Sequence, residues 1–379
     1  MTRLLPCLLL ALPLLPAACS SNSLPQILDD VAVKGACGGS HQQPPLGGAS
    51  DALWVACEGS KAYALYDGKS AFKKVEVPSS VPSEQPKVAA DRSLYVLTRD
   101  PQEPTTTNPR LLVRLLPDGT SQDRTSEVNP TRADELKLTG QGGTVVVQRG
   151  SNVYLASKDK ITALPAPMDG NYRILGVLPV LGEDSHERFF LHVAIGAGSP
   201  GTPDDVKLFL WEGGAATKWH EVTLDDPTEL LRFNGFPRVF VPVGSTGELF
   251  GIANRQGAQD RIVPMLVARW NGTTMRATEI KLSVEAGYFK PQQLYVRANQ
   301  QVVVLGTESE GTEEIVNRLT WYAFTGEDFR LRNAFQEIQN CSQQTCDRST
   351  SEPLFLVDGA VQYVITDATG AFQVLVGKL

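Results

Sequence analysis

The sequence predicts an all-β fold, a β-propeller of seven blades, with six to eight fitting the same spacing. Three observations carry this expectation. A strand–turn–strand unit recurs along the chain, its turns are rich in Asp-Gly and Asn-Gly, and helical periodicity is scarce among 33 Gly and 25 Pro. Asp-Gly and Asn-Gly are strong hairpin signals, because a type I′ turn needs positive φ at both central residues. β-branched and aromatic residues flank the turns, as strands require.

The units follow in order. Ala62–Tyr66 leads through Asp67-Gly68 to Phe72–Val75, and Leu111–Leu116 leads to Asp118-Gly119-Thr120. A degenerate copy runs from Val153–Ala156 through Lys158-Asp159-Lys160 to Ile161–Leu164. Val206–Trp211 turns at Gly213-Gly214 toward Trp219–Val222, and Met265–Trp270 turns at Asn271-Gly272-Thr273. Leu319–Phe324 turns at Gly326, and Val361–Ile365 turns at Thr369-Gly370 into Phe372–Val376. The turns recur roughly every 40 to 60 residues, the length of one four-stranded blade. Further strands are expected upstream, at Ser93–Thr98, Thr144–Gln148, Arg188–Ala194, Glu248–Ile252 and Gln301–Gly306.

A meander of strands A to D puts every marked C–D turn on one face and every B–C connection on the other. Long B–C connections are expected at Asp100–Pro109, Gly196–Asp205, Asn254–Arg261 and Thr307–Glu314. They supply the candidate binding residues Asp100, Asn108, Asp204, Asp205, Arg255, Glu308 and Glu310. Long loops on one rim suit a binding surface, and they also suit tolerated insertion, since lengthening a loop costs little.

The unit spanning Leu53–Val75, with Tyr63-Ala64-Leu65-Tyr66-Asp67-Gly68-Lys69, resembles bacterial two-component-regulator-type propeller repeats. The resemblance covers most of the chain and is strong in two or three units. The Ser-x-Asp-x-Gly-x-x-Trp order of sialidase Asp-boxes is absent.

The N-terminus has export character. Arg3 is the only charge before residue 29, and Leu4–Ala18 is apolar but shorter than the ~20 residues that span a bilayer. Leu15-Pro16-Ala17-Ala18-Cys19 resembles a bacterial lipobox, with Pro16 departing from the usual leucine. The resemblance implies a signal peptide over 1–18, lipidation at Cys19, a tether over 19–26 and one propeller domain over 27–379. Ser20, where aspartate would mark inner-membrane retention, favours the outer membrane. Several acyl chains anchor stably where one is marginal.

Four further cysteines, Cys37, Cys57, Cys341 and Cys346, form an even set in an exported chain and read as disulfides. Local pairs, Cys37–Cys57 and Cys341–Cys346, are the simplest of three connectivities. A metal site is the rival reading, and it would need convergent ligands. A net charge of −7 argues against nucleic acid as a partner. His41, His186, His192 and His220 have no metal-ligand spacing; His192 reads as a packed strand residue and His220 as exposed. No Gly-x-Ser-x-Gly elbow occurs, and Gly140-Gln141-Gly142-Gly143 lacks the lysine of a phosphate loop.

The expectation is therefore a monomeric, lipid-anchored propeller, without cofactor, that binds or scaffolds in a bacterial cell envelope. Its partners would be the membrane, through the lipid, and an envelope protein or surface glycan. A carbohydrate-active propeller enzyme, hydrolase or lyase, is one alternative. An extracellular sensor working with a separate transducer is another.

Overall fold

Runs such as Ala52–Ala56 and Leu94–Thr98 are apolar at nearly every position, as a strand must be when both its faces are covered. In the computed structural model these runs form the middle strands of small antiparallel sheets stacked face to face. The structure describes residues 26–39, 46–49, 52–57, 62–66, 68, 72–77, 86–100, 110–140, 143–157, 160–180, 187–195, 205–213, 218–225, 240–243, 248–254, 262–283, 287–296, 302–310, 316–324, 329–337, 349–350, 354–355, 361–366 and 372–377.

The chain is an all-β propeller, and seven sheets occur among the described residues. It starts with β1 (Gln26–Asp29) and α1 (Asp30–Cys37). Blade 1 is β2 (Gly47–Ala49), β3 (Ala52–Ala56), β4 (Ala62–Tyr66) and β5 (Phe72–Glu76). Blade 2 is β6 (Lys87–Val88), β7 (Leu94–Thr98), β8 (Leu111–Leu115) and β9 (Ser121–Asp123), followed by α2 (Thr125–Val128). Blade 3 is β10 (Leu136–Thr139), β11 (Val145–Arg149), β12 (Asn152–Ala156) and β13 (Ile161–Ala163). Blade 4 is β14 (Tyr172–Pro179), β15 (Phe189–Ile195), β16 (Asp205–Trp211) and β17 (His220–Glu221). After β18 (Thr223–Leu224), blade 5 is β19 (Phe240–Val243), β20 (Glu248–Asn254), β21 (Ile262–Trp270) and β22 (Thr274–Ser283). Blade 6 is β23 (Gly287–Val296), β24 (Val302–Glu310), β25 (Val316–Phe324) and β26 (Phe329–Glu337). Blade 7 joins β27 (Ser349–Thr350) and β28 (Leu354–Phe355) to β29 (Val361–Thr366) and β30 (Phe372–Gly377).

Second and third strands are buried on both faces, whereas the fourth strands β5, β9, β13 and β17 are largely exposed and form the outer rim. Period-two alternation sends neighbouring residues to opposite seams. Trp54 and Leu65 of blade 1 meet Leu94 and Leu115 of blade 2, whose Tyr95 and Leu97 face Val145 and Val147 of blade 3. Val146 and Leu155 then meet Phe189 and Leu191 of blade 4. Phe190 of the same strand turns to Leu249 and Trp270 of blade 5. Val222 links two rims: its N–H donates to Leu208, while the next residues join β22 in parallel.

The ends of the chain meet. β1 pairs antiparallel with β30 and so supplies the outer strand of blade 7. Helix α1 then covers the blade 1 face that blade 2 leaves open, with Val33 buried among Leu53, Val55 and Ala64. The Cys37–Cys57 disulfide fastens this strap to blade 1. Cys341 and Cys346, and Cys19 with the rest of residues 1–25, lie outside the described residues.

Four expectations need correction. Gln26, assigned to the tether, already belongs to β1. The hairpin at Gly370 joins β29 to β30 and is a B–C turn, because the fourth strand of blade 7 comes from the N-terminus. Helix α1 was not expected, since only two turns of apolar pattern announce it. The Asp-Gly and Asn-Gly turns have positive φ at Gly119 and Gly272 but not at Asp118 or Asn271, so they are not type I′. At Leu116–Thr120 the Gly119 amide donates to Leu116 and the Leu116 amide to Thr120, a type I turn with a glycine bulge. Pro117 fixes a negative φ and forbids the mirror-image turn.

Candidate binding face

The meander fixes two unlike faces. B–C and D–A connections lie on a loop face, and A–B and C–D connections on a turn face. Three long B–C connections emerge on the loop face, between β7 and β8, β15 and β16, and β20 and β21, while β24 and β25 are joined by only five residues. Strands also lengthen around the ring. β7 and β8 have five residues, β15 and β16 seven, and β24 and β25 nine. Counted from the short turns, blade 6 stands about 13 Å taller on the loop side than blade 2, at about 3.3 Å per residue. Blade 4 is an exception on the turn face, where Val180–Arg188 and Glu212–Trp219 are longer connections.

The candidate residues are distributed unevenly over this face. Asn108, Asp204 and Arg255 lie outside the described residues. Asp205 opens β16 rather than ending a loop. Glu308 and Glu310 belong to β24, opposite Phe289 and Gly287 in register, so the loop expected from Thr307 starts only after Glu310. The extended strands of blade 6 absorb residues that their acidic character assigned to a loop.

Asp100 is buried, at 4% exposure, and is not presented to a partner. Its carboxylate lies 3.6 Å from the Arg132 guanidinium, which also reaches Asp123 at 3.6 Å. Asn129, fully buried, donates through Nδ2 to the carbonyls of Arg110 at 3.2 Å and Asp134 at 2.7 Å. Asp100 and Arg110 flank residues 101–109, so both ends of that connection are pinned by the segment Asn129–Arg132. Arg149 continues the floor. It donates to the Val128 carbonyl at 2.6 Å, pairs with Asp134 at 3.6 Å and lies over the Tyr154 ring at 5.6 Å. These groups hold the base of the loop face; sequence spacing cannot reveal them, because they come from three different connections.

The turn face is braced differently. Asp91 accepts from the Ser93 amide and hydroxyl and pairs with Arg114, which is itself over the Tyr95 ring at 5.9 Å. The Trp54 indole N–H donates to the Arg92 carbonyl at 2.8 Å across the seam between blades 1 and 2. The Thr120 hydroxyl and amide donate to Asp118 and hold its carboxyl below the usual range. Gly140 starts the A–B turn of blade 3 at φ +129, and a Cβ there would lie 2.0 Å from the Thr144 carbonyl oxygen. Gly140 and Gly143, the described ends of the glycine run that lacks a phosphate-loop lysine, thus lie between β10 and β11.

His220 is exposed in β17, 3.7 Å from Glu212. His192 lies within β15, where burial pushes its imidazole down to about 4. The fold therefore favours neutral imidazole, while the unfolded chain takes up its proton from about pH 6.5 downward. Stability should fall as pH drops from about 6.5 to about 4, and this contribution should level off below. Allowing for partial exposure, a loss on the order of 1–2 kcal/mol is expected. Urea midpoints at about pH 7 and pH 4.5 test this. An acid-induced loss of equal size in His192→Gln would assign it to other groups.

No protein-family model matches the sequence, and no curated protein is significantly similar to it. Solved structures resemble it in fold. Virginiamycin B lyase from Staphylococcus aureus is 11% identical, with 94% of this chain and 96% of that one covered and a TM-score of 0.44. An ulvan lyase bound to an oligosaccharide is 11% identical, with 94% and 95% covered and a TM-score of 0.47. YCF48 from Cyanidioschyzon merolae is 10% identical, with 86% and 91% covered and a TM-score of 0.44. Likeness at this level assigns no family and transfers no activity.

Proposed function

We propose that this protein is a lipid-anchored binding or scaffold propeller of a bacterial cell envelope, with the outer membrane favoured, and that it takes an envelope partner on the loop face. The observation that carries the reading is the asymmetry of the ring. Three long connections and the extended strand ends of the tallest blades lie on one side, and at blade 2 the ends of the long connection are held by a base of ion pairs and amide bonds. A fixed base that carries exposed loops is how rigid scaffolds present varied side chains. An envelope protein or a surface glycan is the partner class.

The test has two stages. The intact lipoprotein is captured from membranes after mild crosslinking, and the co-purifying partner is identified. Residues 101–109 and 196–204 are then replaced by tight turns, separately and together, and melting temperatures are checked. The double variant should lose at least about tenfold in affinity with its midpoint unchanged, on the usual scale of interface hot spots. Undiminished capture by the double variant places the site off the loop face.

A further inference from the structure

The strand that closes the ring is also the strand nearest the N-terminal anchor, and its direction is fixed. Gln26 pairs with Leu375 and Asp29 with Gln373. The β29–β30 hairpin turns at residues 367–371, on the loop face. Gln373 is close to that turn and Leu375 is farther from it. β1 therefore enters at the turn face and runs toward the loop face. The continuation agrees independently. After Asp29 the chain forms α1, and Cys37 bonds Cys57, which follows the loop-face end of β3.

From this direction, and resting on the lipidation proposed above, we infer that the turn face looks at the anchoring membrane and the loop face is held away from it. From Cys19 to Gln26 the chain spans seven peptide steps, at most about 25 Å fully extended. With the turn face down, this tether meets the entry of β1 directly. With the loop face down, the nine-residue strands of blade 6 hold Gln26, which pairs with Leu375 two residues short of the turn-face end of β30, roughly 20 Å above the bilayer. The tether, with about 25 Å of reach, would then have to run almost fully extended along the outside of the ring, whereas with the turn face down it has slack. A loop-face partner would thus be a molecule of the surrounding compartment, or of a facing surface, rather than a lipid of the anchoring leaflet.

Paired probes test this. Lys160 and Ser151 are exposed at opposite ends of β12, on the turn and loop faces of blade 3. Ser121 and Thr131 are the exposed counterparts on blade 2. Each is replaced by cysteine (Lys160→Cys, Ser151→Cys, Ser121→Cys, Thr131→Cys) in the full chain. Protein purified from membranes is labelled with a donor maleimide without reduction, with the unsubstituted chain as blank. It is then inserted into phosphatidylethanolamine–phosphatidylglycerol vesicles that carry a headgroup acceptor. Energy transfer should be at least about twofold higher from residues 160 and 121 than from 151 and 131. Equal or reversed transfer on bound protein overturns the orientation while leaving lipidation intact. Fatty-acid labelling and vesicle binding of the wild type, both lost in Cys19→Ser, establish the anchor. If the wild type is neither labelled nor bound, lipidation and orientation fall together.

Discussion

Deletion of Phe372–Leu379 is expected to destabilise the entire ring rather than fray one end. β30 is an internal strand of blade 7, paired on one side with β29 and on the other with β1. Its removal leaves β1 without a partner and opens sheet edges on both sides of the seam, an arrangement propellers avoid. The midpoint of thermal unfolding should fall by at least about 10 °C, or the cooperative transition should vanish. Deletion of Lys378 and Leu379 alone, which follow β30, should change it by no more than about 1–2 °C. The comparison is made on chains that begin at Ser20. Equal midpoints for the two truncations would show that closure through β30 contributes nothing.

Phe190→Ala should cost about 3–5 kcal/mol, the range for large-to-small changes in a close-packed core. The side chain is fully buried and meets the Trp270 ring of blade 5 edge-on, with centroids 6.1 Å apart. Phe189→Ala should cost a similar amount at the opposite seam, where Phe189 packs against Trp219 at 5.5 Å. Leu175, at 41% exposure, serves as control, and its change to alanine should stay within about 0.5 kcal/mol. Urea unfolding measures all three. A Phe190→Ala cost below about 1 kcal/mol would contradict a packed seam between blades 4 and 5.

The repeating hairpins were legible because their chemistry is local. Asp118-Gly119 and Asn271-Gly272 mark the C–D turns regardless of turn type, and the apolar runs before them are the strands. What depends on distant parts of the chain was not legible. Nothing in Gln26–Asp29 announces that it completes the last blade. The partner of Asp100 is Arg132, from a connection two strands later. Glu308 and Glu310 look like loop residues because charge is the only local signal they give. Their place in β24 follows from register with Gly287–Phe289.

The strap at the seam also sets an order of assembly. The contact between β1 and β30 spans nearly the whole chain, and loop-closure entropy makes such a contact late. Helix α1, by contrast, needs only blade 1, and Cys37 and Cys57 are 20 residues apart. Neither needs any strand of blades 2 to 7. The disulfide then holds β1 at the edge where the seventh blade must arrive. The final strand does not have to search for a free N-terminus; it docks into a berth secured at the start of folding.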